Sequence, residues 1–472
     1  MAAPGGQGRN TVDQYRKLAK NTVIVGIGSF SSKLLVFFLM PITTRILTKA
    51  EMGSYDLAFQ TASLLYPVVS LGVANAILRF GLDKNEDKTD VFSTGLFTSL
   101  IGLLVLLAFV PLGGRVDAIS QNTLGIYLYV FFATLHAVCS CFIRACEQVK
   151  LYAADGILCT VLMVLFTVLF LVVFKMGVTG YLLATSASNA VSIIFLFIRA
   201  KLYRYIRLRG LNRKTALAML KYSVPLMPSM IFWWITNVSD RFLVTHFMGS
   251  AANGLYAVSN KAPQIIVIVS NIFSDAWLIS AVTEGDRGRD NFFTKVFKSY
   301  QAVVFIGASG LIMCAQLVTR ILVDASFFES WRFMPILVIA TVFSCFVTFL
   351  QSIYFVEKKS VISLVTMFAG ALVNVILNLF LIPAYGINGA ALSTLICYIF
   401  VFVLRAVNTG NYIKIRFNIL TLGANFLILM AQTYILLKEL SYWPIYEAAL
   451  FAIVLLLNFK PLLQSVQKII KR

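Results

Sequence analysis

The stretch KAEMGSYDLA, residues 49–58, recurs as SAANGLYAVS at residues 250–259. The two copies align at a shift of 201 residues and share an Ala, a Gly and a Tyr, including the pairs Gly53/Gly254 and Tyr55/Tyr256. A second pair of segments, GVTGYLLATS at 177–186 and GINGAALSTL at 386–395, shares two Gly and one Thr. Repeats of this kind set the architecture of a chain, so we expect two related halves.

The composition of the chain is that of a membrane protein. Its 472 residues are 59% hydrophobic and 13% charged, and the mean hydropathy is +0.85, whereas soluble domains carry about 25% charged residues. Apolar runs of about 20 residues, enough to cross roughly 30 Å of hydrocarbon, recur along the whole length. We therefore predict an all-α polytopic membrane protein with about 14 transmembrane helices. The predicted spans are 21–45, 54–79, 91–112, 122–144, 152–174, 178–198, 222–247, 252–280, 299–319, 333–356, 361–382, 387–407, 417–436 and 443–459.

The repeat divides these spans into two lobes. Each repeat unit contains six helices, an even number, so both units begin on the same side of the membrane and are related by an axis along the membrane normal. Two more helices follow that have no counterpart in the repeat and no role that the sequence reveals. The predicted domains are a cytoplasmic leader (1–20), an N-lobe (21–200), a basic cytoplasmic linker (201–218), a C-lobe (219–408), and helices 13–14 with a basic tail (409–472).

The basic residues indicate the orientation of the chain. The net charge is +20, and most Lys and Arg fall in the even-numbered loops and the two tails, with a dense block at 199–214, RAKLYRYIRLRGLNRK. Short cytoplasmic loops carry this excess, so both termini are predicted to be cytoplasmic. The same residues can contact anionic lipid headgroups. We therefore interpret the basic charge as a topology signal and expect no binding of nucleic acid.

Polar residues form stripes on several predicted helices. Helix 2 and helix 8 carry equivalent polar faces under the repeat, and helix 11 carries two Asn four residues apart. Such stripes either hold helices together through hydrogen bonds or line a water-filled cavity, because a polar group facing lipid is costly. Both interpretations remain open from the sequence. The residues are Asp56, Gln60, Ser63 and Ser70 on helix 2, Asn253, Tyr256, Asn260, Gln264, Asn271 and Asp275 on helix 8, and Asn374 and Asn378 on helix 11.

Ionisable residues within the spans are the strongest candidates for function, since they are costly in a membrane and usually face the interior of the helix bundle. Three cations qualify: Lys33, Arg241 and Lys261. Asp240 precedes Arg241, and neighbours on a helix point about 100° apart, so each is expected to have a different partner. Lys33 is interpreted as a cavity cation, with an ion pair to Asp240 as the alternative.

Two prolines precede this pair in helix 7. Pro225 and Pro228 either break a helix that moves or mark a helix that simply begins late.

Catalytic and metal-binding motifs are absent from the sequence. It contains no phosphate-binding G-x-x-x-x-G-K-[ST] loop and no H-E-x-x-H or G-x-S-x-G motif. The seven Cys show no ligand spacing. Carboxylates are sparse in the predicted outside loops. We therefore expect a protein without cofactor or metal that is not an enzyme.

The segments LLVFFLMPITTRILTKAEMGSYDLA (34–58) and SDRFLVTHFMGSAANGLYAVSNK (239–261) resemble the polysaccharide transporter family. These are the Wzx-type flippases of the multidrug/oligosaccharidyl-lipid/polysaccharide exporter superfamily. The pattern of the resemblance is Asp240-Arg241, Gly249 and Gly254-x-Tyr256, and the fourteen spans extend it over nearly the whole chain.

The resemblance implies alternating-access transport of an undecaprenyl-diphosphate-linked oligosaccharide across the bacterial cytoplasmic membrane, for capsule, O-antigen or exopolysaccharide assembly. It also implies membrane lipid, a polysaccharide polymerase and a chain-length regulator as partners of a monomeric flippase. A lipid II-type flippase and a cation-coupled small-molecule exporter are the alternatives. The expected cavity residues are Lys33, Arg241, Lys261, Gln60, Tyr256, Asn260, Gln264 and Asn374, and the expected ion-coupling residues are Asp240, Asp275 and Asp56.

Overall fold

The computed structural model describes residues 37, 39–83, 85–113, 122–207, 212–283, 289–357 and 359–470, without the side chains of 110–113, 275, 276, 278–280, 282, 283, 360 and 460–470. These residues form 18 α-helices and no strand, which confirms the predicted all-α polytopic class. The α-helices are α1 Met40–Ile46, α2 Lys49–Val69, α3 Val73–Gly81, α4 Lys88–Gly113, α5 Thr123–Ala145, α6 Val149–Thr167, α7 Gly177–Arg199, α8 Arg213–Ser223, α9 Met227–Met248, α10 Ser250–Ser259, α11 Gln264–Thr283, α12 Arg289–Met313, α13 Ala315–Leu322, α14 Met334–Val356, α15 Ser360–Tyr385, α16 Ile387–Thr409, α17 Ile419–Lys438 and α18 Trp443–Ile470.

Within the described residues, nine helices are long and apolar enough to cross a membrane, and α2 with α3 adds a tenth if this bent pair is one span. Two shorter apolar stretches, Gln264–Ser274 and Trp443–Phe459, fall within predicted spans 8 and 14. The chain is therefore a multi-pass membrane protein. Most of predicted span 1 lies outside the described residues.

The chain folds as two compact units. The first unit comprises the residues up to Ile46 together with Leu57–Met230, and the second comprises Leu47–Asp56 together with Ile231–Arg472. The segment that carries the first copy of the Gly-x-Tyr repeat thus packs with the unit that contains the second copy. The domain boundaries given above for the leader, lobes and linker stay a prediction.

Predicted span 2 is not one straight helix. Helices α2 and α3 meet at an angle of 52°, and two of the three residues between them, Leu71 and Gly72, have left-handed φ values of 51° and 64°. Such values are favourable for Gly and costly for Leu. Pro67 contributes no backbone N–H to α2, which leaves the last turn of this helix easier to bend.

Predicted span 8 is also two helices. Helix α10 ends at Ser259, helix α11 begins at Gln264, and the four residues between them form turns. Pro263 explains the break, because proline cannot donate the backbone hydrogen bond that a continuous helix needs there. The polar stripe predicted for a single helix is therefore divided, with Tyr256 on the first part and Asn271 on the second.

Predicted span 7 corresponds to α9, which begins later than expected. Helix α8 ends at Ser223, and Val224–Leu226 form one 3-10 turn before α9 starts at Met227. Pro225 lies in that turn. Pro228 occupies the first turn of α9, where a missing N–H costs little.

Each unit has its own apolar core. In the first unit, Phe92 of α4 packs on Phe142 of α5 with ring centroids 4.7 Å apart. In the second unit, α14 is buried along most of its length, and its Phe349 stacks on Trp277 of α11 at 5.2 Å. These cores hold the helices that position the polar residues described below.

The C-terminal helices α17 and α18 are fastened to the second unit by buried polar groups. Ser309 of α12 donates to the side-chain oxygen of Gln432 at 2.8 Å, and the Gln432 amide donates to Glu447 at 2.9 Å. Asn458 donates to Asn425 at 2.7 Å. Hydrogen bonds of this kind join helices in a membrane, where burial of apolar surface gives no driving force.

Substitution of Glu447 tests this role. Glu447→Leu removes the acceptor of the buried Gln432 amide, and an unpaired buried donor costs about 1–3 kcal/mol. We expect a lower midpoint of thermal unfolding in detergent for Glu447→Leu. Glu447→Gln keeps an acceptor and should unfold close to the wild type. Equal midpoints for the Leu variant and the wild type would exclude this role.

Candidate functional site

Helix α9 carries the centre of the candidate site. Asn237, Ser239, Asp240 and Arg241 occupy little more than one turn of this helix, and together their side chains contact α2, α10, α15 and α16. Successive residues on a helix diverge by about 100°, so one turn serves several partners. The expectation that Asp240 and Arg241 have separate partners through their side chains agrees with this geometry.

Arg241 forms a buried ion pair with Asp56. The Nη1 atom lies 2.5 Å from the Asp56 Oδ1 atom, and the side chains are 12% and 6% exposed. Within the described residues, the Arg241 Nε and the Asp56 Oδ2 are buried without a hydrogen-bond partner. Each ion therefore has one unused polar atom, and a new ligand could bind to either of them.

Asp240 is held by hydroxyl groups. Its carboxylate accepts hydrogen bonds from the Tyr256 phenol of α10 and, at 3.4 Å, from the Thr394 hydroxyl of α16. The side chain is buried. Oxygen ligands from a carboxylate and hydroxyls are suited to a proton or a hard cation.

Removing one of these hydroxyls is expected to destabilise the site. Tyr256→Phe deletes a hydrogen bond to a buried carboxylate, which is worth about 1.5–3 kcal/mol. We expect a lower midpoint of thermal unfolding in detergent. Tyr434→Phe on α17, where the tyrosine is exposed, is the matched control and should leave the midpoint unchanged. A Tyr256→Phe protein as stable as the wild type would contradict the assignment.

Lys261 lies in the break between α10 and α11, half-buried, and interacts electrostatically with Asp56 and Arg241. The cluster thus contains two carboxylates, Asp56 and Asp240, and two cations. The formal charges of these four groups therefore sum to zero. This balance explains how four ionisable groups can be accommodated inside a membrane protein, where unpaired charges are costly.

Amide and hydroxyl groups continue the site beyond the charges. Asn374 of α15 accepts hydrogen bonds from Ser239 at 2.9 Å and from Asn378 at 3.0 Å. Tyr398 of α16 donates to Asn237 at 2.7 Å. The Asn374 amide nitrogen is buried without a partner in the described part of the chain. Amides and hydroxyls in this arrangement are suited to a hydroxyl-rich ligand.

The remaining expected residues lie elsewhere or cannot be placed. Asn260 donates to the Tyr256 carbonyl of its own turn at 2.9 Å, and Gln264 is exposed. Gln60 is half-buried on α2 in the first unit. Lys33 and the side chain of Asp275 lie outside the described residues, so their predicted roles stay predictions.

Sequence reasoning missed three contributors: Ser239, Thr394 and Tyr398. Thr394 carried a signal, because it aligns with Thr185 in the second repeat pair. Ser239 and Tyr398 carried none, since an isolated Ser or Tyr is common in membrane helices. Only the packing of α9 against α15 and α16 brings them to the site.

The two repeat glycines meet beside the cluster. A Cβ atom on Gly53 would lie 1.9 Å from the Ser250 carbonyl oxygen, and one on Gly254 would lie 2.0 Å from the Lys49 carbonyl oxygen. The buried Asn253 donates to the Gly53 carbonyl at 3.0 Å. The first turns of α2 and α10 therefore touch backbone to backbone, which only glycine permits.

Comparison with known proteins identifies relatives of the chain. Residues 18–279 match the family described as polysaccharide biosynthesis protein. An uncharacterized membrane protein of Methanocaldococcus jannaschii is 22% identical over 408 residues, which are 82% of this chain and 96% of that protein.

Solved structures share the fold. The lipid II flippase MurJ in an inward closed conformation matches with a TM-score of 0.70 and 15% identity, covering 94% of this chain and 99% of that one. A Vibrio cholerae MATE transporter matches with a TM-score of 0.61 and 15% identity, covering 85% and 97%. At identities this low, the structural similarity shows a common fold and nothing further.

Proposed function

The chain belongs to the polysaccharide biosynthesis protein family, and on this premise we propose that it is a flippase for lipid-linked oligosaccharides. Its substrate would be an undecaprenyl-diphosphate-linked repeat unit, moved across the cytoplasmic membrane for the assembly of a surface polysaccharide. The observation that carries the proposal is the buried cluster of Asp56, Asp240, Arg241 and Lys261, which adjoins the amides and hydroxyls around Asn374.

The cluster suggests how a diphosphate could bind. Arg241 already has a carboxylate partner, so an incoming diphosphate competes with Asp56 for the guanidinium group. Arg binds phosphate through several N–H donors at once, and the unpartnered Nε of Arg241 offers such a donor. Lys261 supplies a second positive charge. The sugar hydroxyls then meet Asn374, Tyr398 and their neighbours.

Displacement of Asp56 would link binding to a conformational change. Once released from Arg241, the Asp56 carboxylate must pair with Lys261, become hydrated or take up a proton, because an isolated charge is costly in a membrane. Asp56 lies in the short segment Leu47–Asp56 that packs with the second unit. Asp240, held by Tyr256 and Thr394, is the second carboxylate able to bind a coupling proton or sodium ion.

Two other functions are supported by specific observations. The fold shared with a lipid II flippase favours a peptidoglycan precursor as the alternative substrate. The fold shared with a MATE transporter favours a cation-coupled small-molecule exporter.

Reconstitution tests the proposal directly. We expect the purified protein in proteoliposomes to move a fluorescent undecaprenyl-diphosphate oligosaccharide between leaflets, and to leave its mass unchanged. Lipid II and a cationic dye serve as competing substrates in parallel reactions. Faster movement of lipid II or of the dye would replace the proposed substrate, and a changed mass would identify an enzyme.

The proposed orientation has its own test. A cysteine placed within 212–214, at the end of the basic block, should react with a membrane-impermeant maleimide only after the cells are opened. A cysteine at Ser250, the first residue of α10, should be the matched position labelled from outside. Labelling of 212–214 in intact cells would reverse the orientation and place both termini outside.

A further inference from the structure

The accessible surface of α14 is polar. This helix, Met334–Val356, is buried along most of its length. Apart from Val356 at its end, the residues that stay accessible recur at intervals of three and four, which places them on one face of the helix. Hydroxyl and amide groups make up this face until the last turn, where it ends in an aromatic ring. The accessible residues are Thr341, Ser344, Thr348 and Gln351, which form the α14 polar face, followed by Phe355 and Val356.

This pattern is the reverse of that on a helix that faces lipid. On α15, the exposed residues between 361 and 380 are all apolar, whereas Asn374 and Asn378 are buried. Polar groups in contact with lipid are costly, so the α14 polar face has the character of a surface that contacts water. The exposed residues of α15 in that range are Val361, Val365, Phe368, Leu372, Ile376, Leu379 and Phe380.

The α14 polar face passes beside the candidate site. The Ser344 side chain is hydrogen-bonded to the phenol of Tyr398, which donates to Asn237 at 2.7 Å. Thr348 and Gln351 follow Ser344 by about one and two helical turns, toward the C-terminal end of α14. In the proposed orientation this end is cytoplasmic. Polar groups therefore continue from the site toward the side on which the substrate would enter.

A buried arginine holds the last residue of this face. Arg405 of α16 is 0% exposed, and its Nη1 atom donates to the Val347 carbonyl at 2.9 Å and to the Gln351 Oε1 atom at 3.4 Å. Its Nε atom donates to Thr366 of α15 at 3.0 Å, and the guanidinium lies over the Tyr354 ring at 5.7 Å. Among the described residues, its Nη2 atom is buried without a partner. The guanidinium group thus supports the α14 polar face from the buried side.

The repeat shows that helix packing alone does not require this arginine. At the shift that aligns Gly177 with Gly386, Arg405 aligns with Leu196, which is buried in the core of the first unit. A buried charge in a membrane helix is costly, so the arginine needs a role that leucine cannot fill. That role concerns Gln351. Because arginine has only hydrogen-bond donors, the Gln351 side chain turns its oxygen toward Arg405 and its NH2 group toward the accessible side.

The α14 polar face offers both donors and acceptors. Thr341 donates its hydroxyl to the Leu337 carbonyl at 2.8 Å, and Thr348 donates to the Ser344 carbonyl at 3.0 Å. Their oxygen lone pairs therefore stay available as acceptors, while the Gln351 NH2 group is a donor. Sugar hydroxyls donate and accept, so they match such a row. It extends over about 15 Å along the helix, which is longer than one sugar ring.

We propose that the α14 polar face binds the glycan of the lipid-linked substrate along its path to the candidate site, and that Arg405 is a positioning residue that orients the Gln351 amide. Sugars beyond the first contact this face, while the diphosphate contacts Arg241 and Lys261. The ligand is by chemical class a hydroxyl-rich chain of more than one sugar. Its identity rests on the proposed function, whereas contact of the face with water does not.

Contact with water can be measured without a substrate. In membranes opened to both sides, a charged methanethiosulfonate reagent reacts with a thiol only where water reaches it. We expect Thr348→Cys to react beyond the level that the seven native Cys give. Leu372→Cys is the matched control, because Leu372 is also exposed but lies on the apolar surface of α15. An unreactive Thr348→Cys protein would overturn the proposal.

Protection of this thiol identifies the ligand. At about ten times its Kd, a ligand that covers the thiol slows its reaction about tenfold. We expect this protection from the undecaprenyl-diphosphate oligosaccharide and not from undecaprenyl diphosphate without sugar. Equal protection by both lipids would show that the face binds the diphosphate or the polyprenyl chain, and no protection by either would show that no ligand covers it. Both results would overturn glycan binding.

The length of the glycan tests the role of Arg405. We expect Gln351→Leu, which removes one hydrogen bond to sugar, to slow transport of the oligosaccharide lipid about fivefold and to leave transport of a single-sugar lipid within about twofold. Arg405→Met should shift this ratio of rates equally. The double variant should shift it no further, because both substitutions remove the same contact. Gln316→Leu on α13, whose amide contacts Glu439 at 3.4 Å, is the matched control and should keep the ratio of the wild type.

The outcomes separate this inference from the proposed function. An unchanged ratio in Arg405→Met would overturn the positioning role, and an unchanged ratio in Gln351→Leu would overturn glycan binding, while the flippase proposal stands if the wild type moves the oligosaccharide lipid. Where Arg405→Met fails to fold, Arg405→Lys keeps the charge but only one nitrogen, and should shift the ratio in the same direction. If the wild type moves lipid II instead, the proposed substrate fails, and protection of the Thr348→Cys thiol by lipid II sustains the glycan-binding face.

Discussion

Replacement of Arg241 by alanine is expected to abolish transport and to reduce the amount of folded protein. The substitution leaves Asp56 as a buried carboxylate without its ion-pair partner, and breaking a buried pair in this way costs about 3–5 kcal/mol. Lys261 can compensate only in part, because it occupies the break between α10 and α11. Transport in proteoliposomes and the unfolding midpoint in detergent are the two measurements.

A double variant separates folding from transport. Asp56→Ala together with Arg241→Ala removes both charges, so we expect the unfolding midpoint to recover toward the wild type. Transport should stay absent, since the guanidinium group proposed to bind the diphosphate is gone. Arg320→Ala, at an exposed arginine, is the matched control and should retain both properties. A double variant with wild-type transport would show that Arg241 does not bind substrate.

Replacement of Gly254 by alanine is expected to produce the second large effect. The new Cβ would lie 2.0 Å from the Lys49 carbonyl oxygen, and a backbone atom cannot move aside as a side chain can. Overpacking typically costs about 1–3 kcal/mol. Because Gly53 lies one turn before Asp56 on the same helix, the displaced helices would also disturb the ion pair. We expect a lower unfolding midpoint and at least tenfold slower transport, about 1.4 kcal/mol in free energy.

Gly307→Ala is the control for this substitution. A Cβ on Gly307, within α12, meets nothing within 4 Å, and Gly to Ala inside a helix is stabilising by about 0.5–1 kcal/mol. The two variants should therefore move the unfolding midpoint in opposite directions. Gly53→Ala should behave like Gly254→Ala, since the contact is reciprocal. Equal midpoints for Gly254→Ala and Gly307→Ala would contradict the close approach of α2 and α10.

The contact between Gly53 and Gly254 and the ion pair between Asp56 and Arg241 both involve the same short segment of α2. Leu47–Asp56 packs with the second unit, while the rest of α2 belongs to the first. Its Gly53 touches α10, its Asp56 pairs with α9, and its Lys49 forms a salt bridge of 3.8 Å with Glu329. A ligand that competes for Arg241 would weaken one of these three attachments.

The sequence by itself determined the class of the protein and its family. Membrane insertion and orientation depend on the transfer of side chains between water and lipid. Composition, span length and the distribution of Lys and Arg reflect this transfer, and all three can be obtained from the sequence without knowledge of helix packing. The repeat of the Gly-x-Tyr segment likewise predicted two related halves, and it aligned Gly53 with Gly254. The sequence also predicts Asp240, Arg241 and Lys261 as candidates for function, because a charge inside an apolar run is rare.

The tertiary structure alone decided which partner each charge has. Arg241 and Asp56 are separated by most of a repeat in the sequence, and only the packing of α2 on α9 brings them within 2.5 Å. Likewise, only the packing of α5, α6 and α7 brings His136 within 2.9 Å of Asp155 and lets Ser192 donate to the same carboxylate. Helical periodicity gives the face on which a residue lies, whereas the neighbour across that face depends on helix packing, which no local pattern encodes.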